Sequence, residues 1–180
     1  MYCKYDNKTK KCLEVGTGTN TAFYRSIGMV DMDVEQAYDG SYWLKGYAPS
    51  QPLEELKAEK LEALTAYAGQ FDQYKCDDMY VTSSIRGYKF NADIRSQTNM
   101  QGLIDVLDEG TTTLYKDYDN EFRTMTKADL VVLKSECLQN GQYLYQQKWT
   151  LQTKINACTS KEELDAIEIK FEMLEFNHAD

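Results

Sequence analysis

Asp31, Asp33 and Glu35 alternate along the chain as carboxylates do in a calcium-binding loop, and Asp117, Asp119 and Glu121 repeat the spacing. Alternate carboxylates can converge on a hard cation, but such a loop also needs glycine at its sharp turn, and Gln36 stands there in the first group. The second group surrounds Asp117-Tyr118-Asp119-Asn120, where Asp and Asn side chains bond the local backbone, so turn chemistry accounts for it. Glu162 and Glu163 fit a helix start, where acid meets the positive end of the helix dipole. Cys3, Cys12, Cys76, Cys137 and Cys158 form an odd, scattered set of mostly reduced thiols. Cys3 and Cys12 are placed to face each other across a hairpin rather than to hold zinc, which wants four convergent ligands. The single histidine, His178, lies near the end of the sequence in a tail expected to fray, so no Ser or Cys has an evident base. Gly16 to Thr21 is glycine-rich, yet it lacks the Lys-Ser/Thr ending of a nucleotide cradle and a clear following helix, and reads as a flexible loop. The chain is therefore expected to be noncatalytic, with no catalytic, cofactor-binding or metal-binding residues and no cofactor.

Composition narrows the classes further. Of 180 residues, 20 are Lys or Arg and 29 are Asp or Glu, a net charge of −9. Neutralising nucleic-acid phosphates requires clustered cations, so nucleic acid is not an expected partner. No run approaches the roughly 18 apolar residues that span a bilayer, so membrane insertion is not expected either. The N-terminus lacks the apolar core of a signal peptide, which predicts synthesis in the cytoplasm. With 42% apolar residues, 27% charged and only 2 Pro, the chain should fold.

The elements that must position these side chains fall into an α+β arrangement. Residues 1–48 read as a small β-hairpin unit: Tyr2 and Lys4 on one side and Leu13 and Val15 on the other bracket the polar run from Asp6 to Lys10, and Val34 to Ala37 and Tyr42 to Leu44 flank the turn at Asp39-Gly40. Residues 49–75 read as a linker and helix, because Pro49 and Pro52 interrupt regular structure and Leu53, Leu56, Leu61, Leu64 and Phe71 then recur at helical spacing. Its two apolar stripes let the helix pack within the chain or against copies of itself, a homo-oligomer through 52–75. Residues 76–180 read as a C-terminal α+β domain. Val81 and Phe90 flank a turn at Arg86-Gly87, and Asn91 or Asp93 caps a helix ending at Gly110. A strand pair follows over 111–116 and 121–125. Thr126 with Asp129 then opens a long helix bearing Leu130, Leu133, Cys137, Leu144, Leu151 and Ile155. A final helix carrying Leu164, Ile167, Phe171 and Leu174 completes a helical hairpin.

Tyrosine is unusually frequent, 14 residues with 2 Trp. Tyr24, Tyr38, Tyr42, Trp43 and Tyr47 crowd the N-terminal part, where such rings serve either an interface or a core, and Tyr145 lies off the apolar stripe of the long helix as an exposed contact. Tyr38, Tyr42, Trp43, Tyr47 and Tyr145 are the interface candidates.

The run from Ala37 to Pro49 (Ala-Tyr-Asp-Gly-Ser-Tyr-Trp-Leu-Lys-Gly-Tyr-Ala-Pro), followed by Pro52-Leu53-Glu54-Glu55-Leu56, resembles the Tyr-rich hairpin and linker of bacteriophage and prophage tail-fibre-associated proteins. Tyr88 to Gln97, Thr124 to Leu130 and Thr159 to Ile167 are similar, in that order, to an uncharacterised C-terminal domain of phage tail proteins. The resemblance spans most of 37–170 and implies a place rather than a reaction: a structural or accessory part of the tail, located in the virion, with other tail proteins as partners. Neither a repetitive shaft nor a large receptor-binding head is present, which favours an adaptor or short-fibre component. Two other roles stay open, a tail-fibre assembly chaperone and a small acidic inhibitor of a host defence nuclease steered by its charge.

Overall fold

A computed structural model describes residues 1–177, so His178 lies outside the described residues. The chain forms an α+β protein of two compact units, Met1–Leu56 and the remainder from Lys57.

In the first unit β1 (Tyr2–Tyr5) pairs antiparallel with β2 (Cys12–Gly16), as the alternation predicted. Asp6 organises the turn by accepting hydrogen bonds from the Lys8 and Thr9 amides at 2.9 and 2.7 Å. Residues 17–20 form the expected loop, and regular structure bounds it on both sides, including a following helix that was not expected. Gly16 closes β2, and Thr21–Ser26 forms a short helix, α1, whose first turn is capped by the Asn20 side chain accepting from the Phe23 amide. Six residues are too few to display helical periodicity, and Thr, Phe, Tyr and Ser have only middling helix propensity. The glycine is required at position 16 because a Cβ there would lie 2.6 Å from the Tyr24 ring. β3 (Val30–Asp31) then joins the free side of β1 in the order β2-β1-β3. β4 (Val34–Gln36) and β5 (Tyr42–Leu44) make the second hairpin, with Gly40 at φ +80° in its turn. Cys3, Cys12 and Leu44 form the core, flanked by Tyr42, Met32 and Val34. The Glu35 carboxylate fastens the linker by accepting from the Gly46 and Ala48 amides at 2.6 and 3.2 Å.

α2 (Leu53–Gly69) buries Leu64 and Ala68, and a 3₁₀ turn at Gln70–Asp72 continues it and buries Phe71. Lys60 donates its ammonium to the Leu164 carbonyl at 2.7 Å, so a cation here ends a neighbouring helix. β6 (Tyr80–Thr82) and β7 (Lys89–Asn91) form a hairpin whose turn holds Arg86 at φ 54° and Gly87 at φ 66°. Asp93 caps α3 (Ile94–Val106) by accepting from the Ser96 amide. That helix stops at Leu107, before the expected Gly110, which at φ +79° instead turns the chain into β8 (Thr112–Lys116) and β9 (Phe122–Thr126).

α4 (Lys127–Ala157) opens with the expected capping box between Thr126 and Asp129 and buries Leu130, Leu133, Cys137, Leu144 and Ile155. The second arm of the helical hairpin is far shorter than expected, because α5 spans only Lys161–Asp165. Beyond it Ile167, Ile169 and Phe171 turn inward while Glu168, Lys170 and Glu172 stay exposed. This two-residue period outweighed the helical spacing of Leu164, Ile167 and Phe171. The segment runs parallel to β6: the Thr82 amide donates to the Leu174 carbonyl and the Phe176 amide to the Thr82 carbonyl.

Candidate interaction site

In the second unit Phe71, Met79, Ile94, Leu144, Tyr145 and Phe171 line an open cleft of about 170 Å³. The 3₁₀ turn after α2 brings Phe71, where it stacks on Phe171 with ring centroids 5.6 Å apart, and α4 supplies the opposite wall. Gly141 leaves that wall bare, since a Cβ there would still lie 3.9 Å from Met79 Cε. The Tyr145 hydroxyl donates to Asp72 Oδ1 at 2.9 Å, and this hydrogen bond to a carboxylate raises the hydroxyl above its ordinary pKa. One turn further, Trp149 stacks on Tyr145 at 6.1 Å and 27°. Tyr145 is 45% and Trp149 53% exposed, so both rings present a face to solvent. The volume is below the roughly 300–1,000 Å³ of small-molecule pockets. A cleft this size has room for one or two side chains.

The buried polar groups are engaged in holding elements together. Glu136 accepts from the Ser83 hydroxyl at 2.5 Å and from the Ser84 amide at 3.0 Å, tying α4 to the end of β6. Asn140 accepts from the Leu174 amide at 2.8 Å and anchors the terminal extended segment. Asp117 does the turn chemistry expected of it, accepting from the Glu121 amide at 2.8 Å and from Arg123 Nε at 2.7 Å. No buried side-chain nitrogen or oxygen among the described residues lacks a partner, and none of their acidic, Cys and His groups converge as a metal site would require. Burial pushes the Cys137 thiol up to about 12, against nucleophilic use at neutral pH.

The four aromatic candidates of the first unit do not form one patch. Tyr42 turns with Leu44 toward the Cys3 and Cys12 core, while Trp43, its neighbour on the strand, faces the other way and donates Nε1 to the Ser41 hydroxyl at 2.7 Å. Tyr38 and Tyr47 stand exposed at 47% and 56%. Several other tyrosines are half-buried and engaged by cations of the same chain: Lys89 Nζ lies 3.6 Å from the Tyr80 ring and 4.4 Å from Tyr118, and Arg123 lies over Tyr88. Sequence reasoning found Tyr145 but missed Phe71, Asp72 and Gly141. Of these, Gly141 left a trace, a glycine inside a long helical pattern without a turn to require it.

A family model described as "Domain of unknown function (DUF4376)" matches residues 48–169, which covers the linker, α2 and the second unit as far as the turn after α5. No curated protein and no solved structure matches the chain.

Proposed function

The chain belongs to this family of domains of unknown function, and on that premise we propose that it is a noncatalytic structural or accessory component of a phage tail, acting through protein–protein contacts. The observation that carries the reading is the Tyr145 and Trp149 ring pair, half exposed beside a cleft of side-chain size. Large, stiff amphipathic rings at the rim of an apolar recess are what protein interfaces use as anchors. Two further features support it. The family match leaves residues 1–47 outside, so a separate β unit with exposed Tyr38 and Tyr47 precedes the shared domain and is suited to a second docking role. The ordered motifs from Ala37 to Ile167 resemble tail-fibre-associated proteins.

The test is quantitative mass spectrometry of gradient-purified particles. A fixed stoichiometric ratio of this chain to known tail proteins is expected, and Tyr38→Ala with Tyr47→Ala should lower that ratio while leaving the second unit folded. Abundance in infected cells with absence from particles would replace the reading with an assembly chaperone. Strongly salt-sensitive binding to a basic nuclease would replace it with a host-defence inhibitor.

A further inference from the structure

α4 turns one side to solvent along its length, and that side differs from an ordinary surface helix. Its exposed positions recur at steps of three and four from Ala128 to Asn156, and Lys154 is the one charged residue among the exposed side chains of the helix. A solvated helix face in a chain with 27% charged residues should be studded with them. The two acids of α4 are used elsewhere, Asp129 in the capping box and Glu136 in the buried bonds to Ser83 and Ser84. The exposed side carries Val131, Val132, Leu138, Tyr145 and Trp149, each 43–57% exposed. The positions between them are Ala, Ser, Gln, Thr and Asn. Depletion of charge with enrichment of aromatic rings is the composition of an interface core.

We propose that this face is the seam of a homodimer, in which α4 packs antiparallel on α4 of a second copy. This deepens the reading above and rests on it only in taking the Tyr145 and Trp149 surface as a protein contact; it names the partner as the same chain. Three features select that occupant. First, the stripe has a period near 3.5, so it runs straight along a helix pair that supercoils slightly rather than drifting off the seam. Second, an antiparallel register centred near Asn140 sets Val131 against Trp149, Ser135 against Tyr145 and Leu138 against Gln142 of the second copy. Each bulky ring then meets a smaller side chain, as a self-complementary two-fold interface requires. A parallel register would instead oppose Trp149 to Trp149 and Ser135 to Ser135. Third, two chains of charge −9 repel, and they approach at least electrostatic cost through a helix face that carries no exposed acid of its own, the nearby Asp72 carboxylate accepting from the Tyr145 hydroxyl. Lys127, which this register brings toward Lys154 of the second copy, is ion-paired with Glu109.

The seam from Ala128 to Gln152 is ~37 Å long at 1.5 Å per residue. One helix pair of that length lies at the lower end of the ~1,200–2,000 Å² buried in specific interfaces, so the dimer should be reversible, with Kd in roughly the micromolar range.

Sedimentation velocity on the full chain from about 1 μM to about 500 μM tests this. The weight-average mass should rise from 20.8 kDa toward twice that value. Leu138→Glu and Leu138→Lys should each stay at the monomer mass with unchanged circular dichroism, because the side chain is exposed in the single chain. An equimolar mixture of the two should recover the dimer through opposite charges. A wild-type chain that remains monomeric throughout overturns the proposal, while the particle measurement above still stands or falls by itself. Dimerisation that survives Leu138→Glu but is lost in Glu62→Lys would move the seam to α2 and also overturn it.

Discussion

Gly141 occupies the middle of a 31-residue helix, where glycine is less favourable than alanine by about 1 kcal/mol. An alanine methyl there would meet Met79 Cε at 3.9 Å, an ordinary van der Waals contact, and no closer obstacle. Gly141→Ala should therefore gain helix propensity at no steric cost, stabilising the second unit by about 1 kcal/mol and raising Tm by ~2–4 °C. Gly102→Ala in α3 is the control: nothing lies within 4 Å of its added Cβ, it does not border the cleft, and the expected gain is similar. Urea unfolding followed by circular dichroism gives both values on one scale. Equal gains would mean that Gly141 is kept for the cleft and not for the fold, a stability concession of the kind functional surfaces carry. If Gly141→Ala were neutral or destabilising while Gly102→Ala stabilised, the α4 backbone could not be facing an open recess, and the cleft geometry would be refuted.

Other perturbations read other parts of the fold. Glu136→Ala strips the acceptor from the Ser83 hydroxyl and the Ser84 amide, Ser83 being fully buried, and should cost about 3–5 kcal/mol in urea unfolding. A loss under about 1 kcal/mol would mean that these short bonds are not made. The Ala48 and Gly46 amides hold the Glu35 carboxyl below its usual range, so the linker should be anchored above Glu's ordinary pKa of about 4.3 and released as pH falls through the lower, folded value. An acid titration of the Gly46 and Ala48 amide resonances should show that release and Glu35→Gln should abolish it; a midpoint above the ordinary value would contradict the assignment. All five cysteines are buried, and burial holds the Cys3 and Cys137 thiols at about 11 and about 12. The native chain should react with under about one equivalent of a thiol reagent at neutral pH and with all five cysteines after unfolding; rapid native labelling would contradict the buried placement.

The β4–β5 and β6–β7 hairpins were readable because their turns carry glycine where positive φ is needed, at Gly40 and Gly87, and because the flanking residues alternate. The start of α4 was readable from the spacing of Thr126 and Asp129 alone. What escaped had competing periods or no local signal. Ile167, Ile169 and Phe171 satisfy a two-residue period, while Leu164, Ile167 and Phe171 satisfy a helical one, and the partner that decides, β6, lies far off in sequence. Tyr42 and Trp43 were grouped as one aromatic cluster although adjacent strand residues point to opposite faces. The cleft draws Phe71, Met79, Leu144 and Phe171 from distant segments, so no spacing rule could assemble it. The charge-free run between Glu136 and Lys148 is plain in the sequence, but its meaning depends on which side of α4 faces outward.

The parallel contact of Glu175 with Thr82 joins positions more than ninety residues apart, and it sets a clock on biosynthesis. At ribosomal rates of roughly 5–20 residues per second, β6 must wait roughly 5–20 s for the segment that pairs with its outer side. Through that interval its backbone groups and the inner face of Phe71, and from its own synthesis onward the Asn140 side-chain carbonyl, have no native cover from residues 171–176. A nascent chain in that state is open to chaperones and to mispairing with neighbours on the same message, so slowed translation after α4 should raise aggregation more than slowing before it.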